Sequence, residues 1–154
     1  MITDDLLKRH CEESGWPTVA RVSGRLTVAL EVSPAVQAVI TQSRSGVRVF
    51  AGLLDFDDGL AVCREAVEML FRDASNLVNR VHAVTEKNFG FEVNFPSPPS
   101  PMELDDAFCC LSVVCGLVGA ELPALLDERA AQDFLIVRGR AADISTPTQN
   151  QQGD

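Results

Sequence analysis

Residues 96 to 101 read Pro-Ser-Pro-Pro-Ser-Pro, and this stretch separates two kinds of structure. Proline has a fixed φ and no amide hydrogen, so it cannot continue a ladder of strand hydrogen bonds. A strand ending at Phe95 must stop there. Ser100-Pro101-Met102-Glu103 then carries the residues of a capping box with proline at the first helical position, so a helix begins at Pro101 and runs to about Gly119. Gly119 or Pro123 breaks it before a last amphipathic stretch that reaches Leu135.

Ahead of the connector the dominant period is two. Leu26, Val28, Leu30 and Val32 alternate with Thr27, Ala29 and Glu31, the pattern of a strand with one buried face. Thr18 to Val22 is a shorter strand, joined to it by the turn residues Ser23-Gly24. Val36, Ala38 and Ile40 alternate again after Ser33-Pro34, and Ser43 to Gly46 turns the chain into Val47 to Leu54. Further on, Val78 to Thr85 and Phe89 to Phe95 form a second strand pair around Lys87-Asn88.

Two helices interrupt these strands. Thr3 is an N-cap with Asp4 and Asp5 in the first turn, and Gly15 closes that helix near Ser14. Its apolar face is narrow: Leu6, Leu7 and Cys11. The second helix spans about Asp58 to Asp73, with Leu60, Cys63, Val67, Leu70 and Phe71 on one stripe that Val62, Ala66 and Met69 widen. So broad a stripe calls for a second partner besides the helix's own sheet. The expectation is a twofold homodimer built on Leu60, Cys63, Val67, Met69, Leu70 and Phe71, since closed twofold contacts are the commonest solution.

The resulting order is α-β-β-β(-β)-α-β-β-α, an α+β fold with an antiparallel sheet and flanking helices. At 154 residues the chain suits one domain, placed at residues 1–137. The stretch 138–154, rich in Gly, Ser, Thr, Gln and Asn, reads as a disordered polar tail.

The chemistry-bearing residues form no recognisable constellation, and the expectation is a protein that is not an enzyme and holds neither metal nor cofactor. Asp55-Phe-Asp57-Asp58-Gly59 resembles the start of a calcium loop, but Gly59 and Ala66 stand where such a loop needs an oxygen ligand and a closing glutamate. The run reads instead as a helix start. His82 stands alone in a strand, and Cys109-Cys110 lies in an apolar helix without the positive charge that activates a thiol. Cys11, Cys63, Cys109, Cys110 and Cys115 are odd in number and lack C-x-x-C spacing, which suits reduced thiols in a cytoplasm. A net charge of −9 disfavours a nucleic-acid partner, because that affinity rests on cations neutralising phosphates. The longest uncharged apolar run, Ala107 to Ala120, is too short for a bilayer, and the start of the chain shows no secretory signal. The expected location is cytoplasmic.

This order of elements in a small acidic chain resembles the class I type III secretion chaperones, the Tir-chaperone-like proteins. The likeness rests on the first helix, the strand Leu26 to Val32, the hairpin into Val47-Arg-Val-Phe-Ala-Gly-Leu-Leu, the broad helix Leu60 to Phe71, the strand pair Val78 to Phe95 and the long last helix. It implies a homodimeric chaperone that holds the N-terminal segment of a secreted effector protein in extended form, without cofactor or ATP. The client would pair with the strand Thr18 to Val22, with Leu6, Leu7, Val19, Val22, Leu26, Val28 and Leu30 supplying the apolar contacts. Two other classes fit the same pattern: a YbjN-like regulatory or structural domain, and a small-molecule-binding α+β domain.

Overall fold

The computed structural model describes residues 2–22, 25–32, 35–56 and 61–145, with the side chains of 20–22 and 140–145 set aside. The elements are α1 (Asp4–Glu13), β1 (Thr18–Val22), β2 (Arg25–Ala29), β3 (Gln37–Ser43), β4 (Gly46–Asp55), α2 (Ala61–Ser75), β5 (His82–Val84), β6 (Asn88–Phe95), α3 (Pro101–Glu121), a 3-10 turn (Ala124–Leu126) and α4 (Glu128–Ser145). The strands form one six-stranded sheet in the order β1-β2-β3-β4-β6-β5. Every pairing is antiparallel. The fold is therefore α+β, as the alternation and the helix signals imply.

The alternation decides which face of the sheet is covered. Leu26, Val28, Ala38, Ile40, Val47, Val49, Ala51, Phe91, Val93 and Phe95 are all buried on one side. Helices α1, α2 and α3 lie over that side. The stretch Val36 to Ile40 is a true strand in its larger part: Ala38 and Ile40 pair with Val28 and Leu26, and Val36 accepts from the amide of Leu30 at 2.9 Å.

Each helix is seated by local signals together with a specific contact. The Thr3 hydroxyl accepts from Leu6 N at 3.1 Å, and Gly15 takes φ +91° beyond the end of α1, a conformation that favours glycine. Trp16 then ties this corner to α3: its Nε1 donates to Asp105 Oδ1 at 2.8 Å, and its ring sits 5.5 Å from that of Phe108. The capping box of α3 is complete. Ser100 Oγ accepts from Glu103 N at 3.2 Å, and Ser100 N donates to Glu103 Oε1 at 3.0 Å. On α2, Phe71 stacks on Phe91 at 4.9 Å and meets the edge of Phe89 at 5.7 Å.

Several expectations need correction. The second helix finds its second partner inside the chain: α4 packs on α2, so Cys63, Val67, Leu70 and Phe71 are buried in the domain's own core. Met69 is half-buried, and Leu60 lies outside the described residues. The remaining surface of α2 is charged, with Glu68 paired to Arg64 at 3.3 Å and to Arg72 at 3.6 Å. Four of the six residues expected at a dimer contact thus face α4 and the sheet within one chain. The strand expected at Val78 to Thr85 shrinks to His82–Val84, because residues 76–80 form turns and Arg80 adopts φ +69°. The tail also begins later than composition implies. Helix α4 continues to Ser145, and Arg138 pairs with Asp73 at 3.3 Å while lying over Phe134; residues 146–154 are outside the described set.

Two stability outcomes follow. Phe71→Ala should cost about 3–5 kcal/mol in urea unfolding, the range for truncating a buried aromatic, with no dependence on protein concentration. A concentration-dependent loss would return Phe71 to an interface between chains. Deleting everything after Val137 removes a half-exposed ion pair worth at most about 1 kcal/mol, so Tm should fall by no more than about 2–4 °C.

Candidate protein-binding surfaces

The residues expected to hold a client separate into core and surface. Leu7, Leu26, Val28 and Leu30 are buried under α1 and α3, so they shape the domain and offer nothing to a partner without rearrangement. Leu6 is half-buried. Val19 is 53% exposed, and the side chain of Val22 is outside the described set. What stays available in this region is the backbone of β1. It pairs with β2 on one side and, among the described residues, has no strand on the other. The ladder shifts between Thr18 and Ala20, a bulge that leaves Val19 facing outward. Bulges are one way natural sheets limit uncontrolled edge pairing.

The outer face of the sheet is a second open surface. Arg48 forms an ion pair with Glu92, and its guanidinium lies 4.6 Å above the ring of Phe50. That ring rests on bare backbone. A Cβ at Gly90 would come within 2.8 Å of it, and a Cβ at Gly52 within 3.0 Å, so both glycines are needed for the aromatic to lie flat. Beside it runs a groove of about 420 Å³ lined by Arg25, Gln37, Val39, Thr41, Leu54, Asn88 and their neighbours. One solvated face is ordinary for an antiparallel sheet.

The third surface was not legible as such in the sequence. Helix α3 buries Leu104, Ala107, Phe108, Leu111, Val114, Cys115 and Val118 on its inner side. On the opposite side Met102, Val113 and Leu117 are exposed at 82%, 53% and 47%. A run that is apolar all round reads as a buried helix; here only half of it is covered. The signal available was the absence of charge between Ala107 and Ala120, which does not tell whether the chain supplies a second cover.

Four of the five thiols are shifted away from the reactive form. Burial raises the Cys115 thiol to about 12 and the Cys11 thiol to about 11. Desolvation, with the nearby Asp105 carboxylate, raises Cys109; desolvation, with Asp106, raises Cys110. These shifts oppose the thiolate that nucleophilic chemistry requires. Among the described residues, no group of three or more His, Cys, Asp or Glu is placed to hold a metal ion, and no helix is long and apolar enough to cross a membrane. The chain matches no protein-family model, no curated protein and no solved structure.

The thiols yield a pH dependence whose sign is fixed. An unfolded thiol titrates near its ordinary value of 9.0, while folded Cys11 and Cys115 hold their protons to about 11 and 12. The folded chain therefore binds more protons than the unfolded chain above pH 9, and stability falls as pH rises. There is no tyrosine, and the lysines are Lys8 and Lys87 alone; Cys109 and Cys110, whose thiols are also raised, add to the same trend. The urea midpoint should drop between pH 8 and pH 10 (about one unit either side of the thiol's ordinary range), and the drop should shrink in Cys11→Ala/Cys115→Ala.

Proposed function

We propose that the domain is a client-binding chaperone of the type III secretion kind, taking up an extended segment of another protein along the outer edge of β1. The observation that supports this reading most directly is the position of β1, an edge strand whose outward backbone has no strand partner among the described residues and whose Val19 is exposed. Strand addition suits a chaperone. Main-chain hydrogen bonds recognise many sequences alike, while a few side-chain contacts set preference. The resemblance in element order to class I secretion chaperones supports the same reading. The reading carries no dimer contact on α2, where the broad apolar stripe is internal.

The test is co-expression of the full chain with N-terminal segments of secreted proteins encoded by neighbouring genes, followed by hydrogen exchange on any complex. A bound client should slow exchange of the β1 amides. Val19→Lys places a charge on the edge, one of the devices that natural sheets use against strand pairing. It should weaken client binding about tenfold, or about 1.4 kcal/mol, with Tm unchanged because Val19 is exposed. If no client segment is retained while a metabolite raises Tm, the small-molecule-binding reading replaces this one.

A further inference from the structure

The outward stripe of α3 is apolar apart from Asp106. At about 100° per residue, Met102, Cys109, Val113, Gly116, Leu117 and Ala120 fall on one side, directly opposite the buried stripe. From Met102 to Ala120 this face runs about 27 Å, the length of five helical turns. A surface helix needs only one apolar stripe, the one that faces its core, so packing within the chain leaves the second unexplained. The stripe has relief as well as length. Val32, in the segment after β2, rises beside Gly116, where a side chain at Gly116 would approach it to 3.9 Å. Between them lies a shallow groove of about 610 Å³.

Charge decides what kind of partner fits. Glu31 and Glu121 stand at the margins of the groove, and among the described residues no lysine or arginine lines it. Towards the other end, Asp106 is the one charged residue within the stripe, with Asp105 and Glu103 on its flanks. Arg80 lies close enough to act on Glu103 and Cys110, so a cation borders the Met102 end of the stripe. A second copy of this chain would be a poor occupant. An antiparallel pair centred on Val113 would set Asp106 against the Ala120-Glu121 end of the other copy, acid on acid, between two chains of net charge −9.

We propose that the outer face of α3, together with Val32, is a docking site for an amphipathic helix of another protein whose apolar stripe is bordered by lysine or arginine. Met102, Val113 and Leu117 are the anchors, Cys109, Gly116 and Ala120 let the partner's backbone approach, and Glu31, Asp106 and Glu121 receive its cations. The mode is helix-in-groove recognition. It is independent of strand addition at β1, which uses a different element and the backbone rather than side chains.

The probe is a fluorescein-labelled leucine–lysine peptide of about 18 residues, patterned as an amphipathic helix to match the face, added to the full chain. Two controls carry the same composition in scrambled order, and the same pattern with glutamate for lysine. Micromolar binding is expected for the patterned basic peptide. At least about tenfold weaker binding is expected for both controls and for Val113→Asp/Leu117→Asp, with weakening at high salt. Both positions are exposed, so the variant should keep its Tm; Val113→Ser/Leu117→Gln serves if it does not. Cys109 lies in the stripe and is exposed, while Cys11, Cys63 and Cys115 are buried, so the bound peptide should slow alkylation of Cys109. Equal binding to the scrambled peptide or to the variants, or unchanged Cys109 alkylation, overturns the proposal. So does a wild-type dimer in sedimentation that Val113→Asp/Leu117→Asp dissociates, which would give the face to a second copy.

Discussion

Helix α3 packs against α1, α2, β4 and β6, so its inner stripe from Leu104 to Val118 is the surface that the other layers share. Removing that stripe would expose the middle of the sheet, where Phe91 and Val93 depend on helices for cover, and would strip α1 of its main helical neighbour. The Trp16–Asp105 hydrogen bond and the Trp16–Phe108 contact are then more than a local decoration. They fix the corner after α1 to the element that holds the core together. Because Trp16 buries its ring, its indole N–H needs a partner there, and Asp105 supplies one from the first turns of α3.

The readability of this chain follows the range of each signal. Caps were legible because they are local: Thr3 and Ser100 satisfy amides within three residues of themselves. The strands were legible because burial on one face imposes a period of two, and even Val36 to Ile40 kept that period across Ser33-Pro34. The second partner of α2 was not legible. A broad apolar stripe records that two surfaces will cover it but says nothing of where they come from, and α4 came from the same chain. The continuation of α4 past Leu135 was hidden because Arg138 onward is polar in composition; the helicity of α4 is sustained by docking on α2 and by good helix formers such as Ala and Arg. The shortening of the strand before β6 turns on Arg80 at positive φ, a conformation no residue pattern announced.

Of the residues expected to meet a partner, most serve the interior instead. Leu7, Leu26, Val28 and Leu30 stand out by their alternation or helical spacing, yet that same regularity is what puts a side chain into the core. Residues that remain exposed lie elsewhere: Val19 at a bulge, Met102 in the first turn of a capped helix, Val113 and Leu117 on the far side of a helix already buried on the near side. In this domain the periodic residues build the scaffold, and the apolar residues out of phase with it mark the surfaces.

The two surfaces proposed for partners place different demands on the protein. An edge strand presents hydrogen-bond donors and acceptors that any extended chain satisfies, so it needs protection against its own kind, and the bulge at Val19 supplies some. The outer face of α3 presents apolar area, which also invites self-association. Its protection is electrostatic. Carboxylates around the stripe keep copies of an acidic chain apart while drawing a basic helix towards it, so one feature both limits self-pairing and selects the partner. That coupling gives a physical reason for acid to collect beside the exposed Met102, Val113 and Leu117, where a purely solvated helix would have mixed its signs.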